Sequence, residues 1–172
     1  TPDSIMGAVQ ALLGGSAPAL GSVLAPDRGL CDECPRAHTK PVPLVLTAFK
    51  RTHQVLLNED ECILAQGVIC MGPATRAGCG AQCIQGNMPC TGCWGPTSRV
   101  RDQGAKALAS LAAILERPDG DAVAGARGGI PDPVGTLYRY GLPHSLLSRR
   151  RREAIPDALQ STAQRVEDPA HG

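Results

Sequence analysis

The spacing of eight cysteines constrains this 172-residue chain more than any other feature. They are Cys31, Cys34, Cys62, Cys70, Cys79, Cys83, Cys90 and Cys93, which form two C-x2-C pairs, one C-x3-C pair and two more isolated positions. Thiolates two or three residues apart converge readily on one metal site, whereas a disulfide between them is strained. The spacing therefore favours metal ligation over disulfides.

The surroundings of the cysteines distinguish two kinds of metal site. Zinc and iron–sulfur clusters both use C-x2-C pairs, but zinc ribbons usually present two such knuckles. Here Cys62, Cys70, Cys79 and Cys83 arrive separately, on a stretch rich in Gly and Pro. A cubane cluster takes ligands from several directions, and its sulfides accept hydrogen bonds from nearby backbone amides. The spacing favours iron–sulfur and leaves zinc and disulfides as alternatives.

Composition predicts a chain with little regular structure. It contains 20 Gly and 15 Pro but only one Phe, one Trp and two Tyr. A chain so poor in aromatic residues needs additional cross-links to hold its fold. We predict a mostly irregular, loop-rich iron–sulfur domain with α-helices and little β structure, wrapped around two cubane clusters.

Hydrophobic periodicity predicts two helices. Residues 2–13 form a short amphipathic pattern followed by two glycines. Residues 102–116 form a second helix, with Asp102 as its N-cap and Pro118 as its stop. Residues 44–49 are compatible with strand or helix, and residues 130–143 read as an irregular Pro/Gly strip.

Charge and hydropathy exclude two classes of partner. The formal net charge of +1 lacks the basic excess that nucleic-acid binding requires. The basic run at 148–152 is read as a solvated surface or a protein contact. No apolar stretch approaches the roughly 20 residues of a membrane helix, so we predict a soluble protein without a membrane span.

Residues 70–96 strongly resemble the small, electron-transferring subunit of cytoplasmic nickel–iron hydrogenases. Residues 30–35, 102–106 and 130–147 also look like that family, so the resemblance covers most of residues 2–147. The most similar kinds are the NAD(P)-linked sulfhydrogenases and those associated with heterodisulfide reductase. The resemblance implies a cytoplasmic subunit that relays electrons and carries no catalytic residue for bond chemistry.

The resemblance also implies how the cysteines are divided. The distal [4Fe-4S] cluster would take Cys31, Cys34, Cys62 and Cys70, and the medial [4Fe-4S] cluster would take Cys79, Cys83, Cys90 and Cys93. Many relatives outside this branch lack the thiolate that Cys83 supplies and hold a three-iron medial cluster. Spacing alone equally allows Cys70 to pair with the later group.

The family's small subunits begin with a flavodoxin-like domain that binds a proximal cluster, and these residues resemble only the last helix of that domain. We therefore expect the proximal cluster and the nickel–iron centre outside this chain, on a longer subunit or on another chain. The predicted segments are a terminal helix of that domain (1–15), a linker (16–30), the two-cluster domain with its following helix (31–117), a docking strip (118–147) and a basic, then polar tail (148–172).

The implied partners are the hydrogenase large subunit and a downstream acceptor. That acceptor would be a flavin-containing NAD(P) reductase with ferredoxin-like subunits, or heterodisulfide reductase. A free-standing dicluster ferredoxin-like carrier and a zinc-bound structural module are the alternative functions. A free carrier would normally be strongly acidic, with C-x2-C-x2-C-x3-C runs that this chain lacks.

A few other residues are candidates for roles around the clusters. Arg76 would either donate a hydrogen bond toward a cluster or pair with a carboxylate. Trp94 would shield the medial cluster from water. Tyr138 and Tyr140 would dock on the large subunit, with a strap over this chain's own clusters as the alternative. His38 and His53 lie near the cysteines in sequence but are expected not to be ligands, because eight thiolates suffice for two clusters.

Overall fold

Short helices joined by long irregular segments make up the computed structural model, which describes residues 2–116 and 129–148. The α-helices are α1 (Pro2–Leu13), α2 (Gln82–Gln85), α3 (Gln103–Ala112) and α4 (Pro133–Leu137). The 3-10 turns are Leu30–Asp32, Ala37–Thr39, Thr52–Gln54, Gly72–Ala74, Leu142–His144 and Leu146–Ser148. Within the described ranges β structure is limited to isolated bridges. The expectation of a mostly irregular fold with helices and little β structure is confirmed.

Helix α1 occupies the predicted residues and ends as its glycines suggest. The amide of Gly14 donates to the carbonyl of Gln10 at 2.9 Å, and Gly15 adopts a φ of +76°. Such a left-handed residue after the last turn is a common helix stop. None of the residues of α1 is buried, and its apolar residues Ile5, Val9 and Leu12 are exposed.

Helix α3 begins at the predicted N-cap but ends earlier than predicted. The Asp102 side chain accepts a hydrogen bond from the Ala105 amide, and Ala107 and Leu111 are buried. After Ala112 the chain leaves the helix because it pairs with Leu46: Leu46 donates to Ile114, and Glu116 donates to Leu46, both at 2.8 Å. Segment 44–49 is thus neither helix nor strand but irregular chain with one isolated bridge, between Leu46 and Leu115.

The buried core lies beside the cysteines and incorporates two of them. Its apolar members include Leu30, Phe49, Ile63, Leu64, Val68, Met71, Ala74, Ile84, Leu111, Ile130 and Leu137, together with Cys70 and Cys90. Phe49, the chain's single Phe, is one of these members. A core of this kind ties the stability of the fold to the cysteine loops.

Residues 129–148, which we call the strap, fold back on α3. The predicted irregular strip contains α4, whose N-cap Asp132 accepts from the Gly135 amide at 2.8 Å. Leu137 is buried, and the Leu146 amide donates to the Asp102 carboxylate at 2.9 Å. Residues 118–128 of the predicted docking strip and almost all of the predicted tail lie outside the described residues. Among the residues that are described, helices capable of crossing a bilayer are absent.

Candidate metal centre

Two cavities divide the eight cysteines into two groups of four. Cys31, Cys34, Cys62 and Cys70 line the first cavity, whose volume is about 210 Å³. Cys79, Cys83, Cys90 and Cys93 line the second, smaller cavity. All eight are free thiols. These are the two groups that the resemblance implies, and Cys70 lies with the first.

Leu30 and Ile84 line both cavities and so lie between them. Leu30 is 1% exposed and Ile84 is 3% exposed. The two groups also touch directly, because the Cys90 amide donates to the Cys70 sulfur at 3.4 Å. The cavities are therefore adjacent, with buried apolar side chains and the contact between Cys90 and Cys70 between them.

The loops of the first cavity are held by a buried arginine that sequence reasoning missed. Arg36 is 5% exposed and donates to the Ile84 carbonyl at 2.8 Å and to Asn87 Oδ1 at 2.9 Å. It thereby ties the loop after Cys34 to α2 and to the turn that follows this helix. Nearby, the Cys62 amide donates to the Thr39 hydroxyl oxygen at 2.8 Å. No sequence motif indicated Arg36, because its partners lie about fifty residues away in the chain.

Burial dominates the acid–base chemistry of the first group. It raises the pKa of Cys31 to about 11 and that of Cys70 to about 12. The amides of Gly72 and Cys90 point at Cys70 and oppose this rise in pKa. Free thiols at these positions are thus protonated at neutral pH, whereas a bound metal deprotonates the thiols that coordinate it.

A tight glycine turn presents Cys79 to the second cavity. Gly78 and Gly80 have φ values of +115° and +68°, which favour glycine. Glu33, which lies inside the first C-x2-C pair, accepts from both of their amides, at 2.8 and 3.0 Å. A Cβ on Gly78 would approach Trp94 Nε1 to 3.0 Å, so the absence of a side chain at Gly78 lets the Trp94 indole pack against this turn.

The second cavity is more open than the first. Cys83, on α2, and Cys93 are exposed, whereas Cys90 is buried. Burial raises the pKa of Cys90, and hydrogen bonds from the Gly92 amide and the Thr75 hydroxyl partly oppose this rise. Trp94 lines this cavity and is 40% exposed, so it covers the cavity only in part.

Arg76 pairs with a carboxylate. Its guanidinium lies 3.0 Å from Asp27 and donates to the Pro96 carbonyl at 3.0 Å. Asp27 has a lowered pKa because the Ser98 amide and hydroxyl donate to it, with Arg76 adding a favourable charge. Arg76 thus fastens the segment before the first cysteine to the segment after the last.

The remaining predicted residues lie at the surface or pack against α3. His38 and His53 are exposed. Tyr138 is half-buried, its ring lies against Gly104, and its hydroxyl bonds to Asp102. Tyr140 is 52% exposed. Among the described residues, groups of three or more His, Cys, Asp or Glu side chains close enough to share a single metal ion are absent.

No family model matches the chain. It is 42% identical over 125 residues to a subunit of the F420-non-reducing hydrogenase of Methanothermus fervidus, covering 69% of this chain and 95% of that relative. The chain belongs to the family of F420-non-reducing hydrogenase iron–sulfur subunits. The resemblance to hydrogenase small subunits is thereby confirmed.

Other members of this hydrogenase family are longer. The corresponding subunit of the F420-non-reducing hydrogenase vhu of Methanocaldococcus jannaschii is 40% identical over 156 residues, which are 88% of this chain and 47% of that protein. The F420-non-reducing hydrogenase iron-sulfur subunit of Archaeoglobus profundus is 33% identical over 150 residues, which are 86% of this chain and 46% of that protein. The chain thus spans about half the length of these two relatives.

Proposed function

We propose that this chain is the electron-transfer subunit of a cytoplasmic nickel–iron hydrogenase and holds two [4Fe-4S] clusters. The observation that carries the proposal is the pair of adjacent cavities, each lined by four free cysteines. When bound, such clusters supply reversible one-electron transfer. Cys31, Cys34, Cys62 and Cys70 would hold the distal cluster, and Cys79, Cys83, Cys90 and Cys93 would hold the medial cluster.

The donor atoms present suit a cubane cluster. Four thiolates are the ligand set of such a cluster, and each group reaches its cavity from separate loops. Amides of Gly72 and Cys90 already point at the Cys70 sulfur, as hydrogen bonds to cluster sulfur require. Cys83 completes the second group, which supports four irons rather than three there.

The surrounding residues position the ligands and bury the partition between the two cavities. Arg36 and Glu33 fix the loops that carry Cys34 and Cys79 through buried or charged hydrogen bonds. Leu30 and Ile84 keep solvent from the partition between the two cavities. A dry, rigid surrounding tunes the reduction potential of a metal site and limits rearrangement on electron transfer.

The wider assembly follows from the family. We propose a large subunit with the nickel–iron centre and a proximal cluster outside the residues of this chain. Heterodisulfide reductase, or a flavin-containing NAD(P) reductase with ferredoxin-like subunits, would be the downstream partner. The relatives are named as hydrogenases that do not reduce F420, so we expect another acceptor here too. Tyr140 is exposed and is a candidate contact for the large subunit.

Cysteine variants test both the clusters and their ligand sets. The anaerobically purified protein should contain about eight irons and about eight acid-labile sulfides per chain, and dithionite reduction should give cubane paramagnetic resonance signals. Cys31→Ser and Cys70→Ser should each remove or alter the resonance signal of the distal cluster. Cys79→Ser should remove or alter the signal of the medial cluster. His53→Ser, a change at an exposed side chain, is the control and should keep both.

Two results would contradict the proposal. About two zincs and no sulfide would indicate a structural zinc module instead. If Cys70→Ser affected the same signal as Cys79→Ser, the division of ligands between the clusters would be wrong.

A further inference from the structure

Thr75 is a buried hydroxyl on the wall of the second cavity. It follows the turn Gly72–Ala74, is 1% exposed, and lines the cavity together with Cys90 and Cys93. Its Oγ1 lies 2.6 Å from the Met71 carbonyl, to which it donates, and 3.7 Å from the Cys90 sulfur. A hydroxyl in this position is within hydrogen-bonding distance of a proposed cluster ligand.

Gln103 controls which way the Thr75 hydroxyl can donate. It is 5% exposed, and its Nε2 donates to Thr75 Oγ1 at 3.3 Å and to the Gly92 carbonyl at 2.9 Å. Because Gln103 donates a hydrogen bond to the Thr75 oxygen, the Thr75 hydroxyl acts as the donor toward its other neighbours. Those neighbours are the Met71 carbonyl and, when Cys90 is a thiolate, its sulfur.

As a ligand of the proposed cluster Cys90 would be a thiolate, and its 3.7 Å contact with Thr75 would then have the hydroxyl as donor. A thiol donates weakly to the hydroxyl oxygen, whereas a thiolate only accepts. A hydrogen bond to an ionised acceptor is stronger than one between neutral groups. The Cys90 thiolate therefore competes with the Met71 carbonyl for the hydrogen bond that the Thr75 hydroxyl donates.

We propose that Thr75 donates a hydrogen bond to the Cys90 thiolate and so raises the reduction potential of the medial cluster. The inference rests on the proposed function. Reduction adds negative charge that spreads onto the ligand sulfurs, so a donor stabilises the reduced state more than the oxidised state. Thr75 does not line the first cavity, so the effect is specific to the medial cluster. Thr75 is thus a positioning and tuning residue, not a ligand.

The test is a redox titration of the intact hydrogenase complex, followed by paramagnetic resonance. Thr75→Val keeps the volume and removes the donor. It should lower the equilibrium constant for medial-cluster reduction by up to about tenfold, which is about 59 mV for one electron. Thr75→Ser keeps the hydroxyl and should stay within about twofold of the wild type. The distal signal and the iron and sulfide content should not change in either variant.

Thr39→Val is a matched control. Its hydroxyl bonds to the Cys62 amide and the Arg36 carbonyl, so its loss should leave the medial potential unchanged. Thr75→Ala provides a second variant without the donor, in case the valine does not fit, and should shift the medial potential in the same direction.

The outcomes separate this inference from the proposed function. A wild-type complex without two cubane signals from this chain overturns both. Two loaded clusters with an unchanged medial potential in Thr75→Val or Thr75→Ala overturn the tuning role alone. Loss of the medial cluster in both variants would make the hydroxyl a structural requirement and would also overturn that role.

Discussion

Asp102 is the residue whose substitution should separate the strap from the rest of the chain. It is 6% exposed, its Oδ1 accepts from the Ala105 amide at 2.8 Å, and its Oδ2 accepts from the Leu146 amide at 2.9 Å. The Tyr138 hydroxyl bonds to the same carboxylate. One side chain thus caps α3 and anchors two points of the strap.

The cost of removing these contacts can be estimated from the geometry. In Asp102→Asn one oxygen becomes an amide nitrogen, which cannot accept from Leu146, and the charge is lost. A hydrogen bond to a charged group contributes about 1.5–3 kcal/mol, so we expect the strap to be destabilised by about 2 kcal/mol. Asp102→Ala also removes the N-cap and should cost about 1 kcal/mol more.

Hydrogen exchange measured by mass spectrometry reports this opening directly. A loss of about 2 kcal/mol raises the population of the opened strap by roughly 30-fold, and the Leu146 amide should exchange faster by the same factor. Asp132→Asn is the matched control, because this exposed carboxylate caps α4 through Gly135 within the strap. It should cost less than about 1 kcal/mol.

Two results would refute the reasoning. Unchanged protection of Leu146 in Asp102→Ala would mean that the burial of Ile130 and Leu137 holds the strap without the carboxylate. Equal increases of Leu146 amide exchange in Asp102→Asn and Asp132→Asn would mean that weakening either helix cap opens the strap.

The same contacts predict how the strap responds to pH. Burial alone would raise the pKa of Asp102, but the amides of Ala105 and Leu146 and the Tyr138 hydroxyl lower it below its ordinary value of 3.8. A depressed carboxyl pKa stabilises the folded state above that ordinary value, and this contribution is lost as the pH falls through the folded pKa. Burial and the charge of Asp102 raise the pKa of Tyr138 above its ordinary value of 10.0, so its contribution is lost only as the pH rises beyond that value. The difference between wild type and Asp102→Asn should therefore be constant across neutral and mildly acidic pH.

Two further changes test the packing and the role of the clusters. Gly104→Ala would place a methyl group in the Tyr138 ring and should destabilise the protein by about 1–3 kcal/mol in thermal unfolding. Gly7→Ala, on exposed α1 with open space around it, should cost nothing, and an equal loss in both variants would contradict the packing argument. Anaerobic removal of iron by chelation should unfold residues 30–96, because buried Cys70 and Cys90 belong to the core and ligation supplies folding free energy. Retention of the native circular dichroism and protease resistance by the metal-free chain would refute this.

Local signals in the sequence predicted the parts of the fold that depend on local interactions. Asp102 stands before a periodic apolar segment, and it does cap α3. The glycines after residue 13 end α1, because Gly15 adopts the left-handed backbone conformation that stops a helix. The C-terminal end of α3 was predicted too late, because the pairing of Leu46 with residues 114 and 116 is a long-range interaction that no local pattern contains. Leu108 lies at helical spacing from buried Leu111, yet it is 53% exposed, because the side chains that cover a helix face come from elsewhere in the chain.

The candidate site shows the same division. The cysteine spacing predicted metal ligation, but it left open whether Cys70 joined the earlier or the later group. In the structure Cys70 lines the cavity with Cys31, while its sulfur also accepts from the Cys90 amide of the other group. No sequence pattern indicated the roles of Arg36, Glu33 and Thr75. Each of them bonds to a residue near the cysteines that is close in space but distant in the chain.

The sequence alone determined the number and spacing of the cysteines, the loop-rich class of fold, the start of α3 and the family resemblance, since spacing, composition and capping are local properties. Only the tertiary structure decided which cysteines share a cavity, that Arg76 pairs with Asp27, and that the strap lies on α3 through Asp102. Arg76 and Asp102 are themselves buried, and burial strengthens charged and hydrogen-bonded contacts by excluding water. Burial is a property of the whole fold, so no single segment of the sequence encodes it.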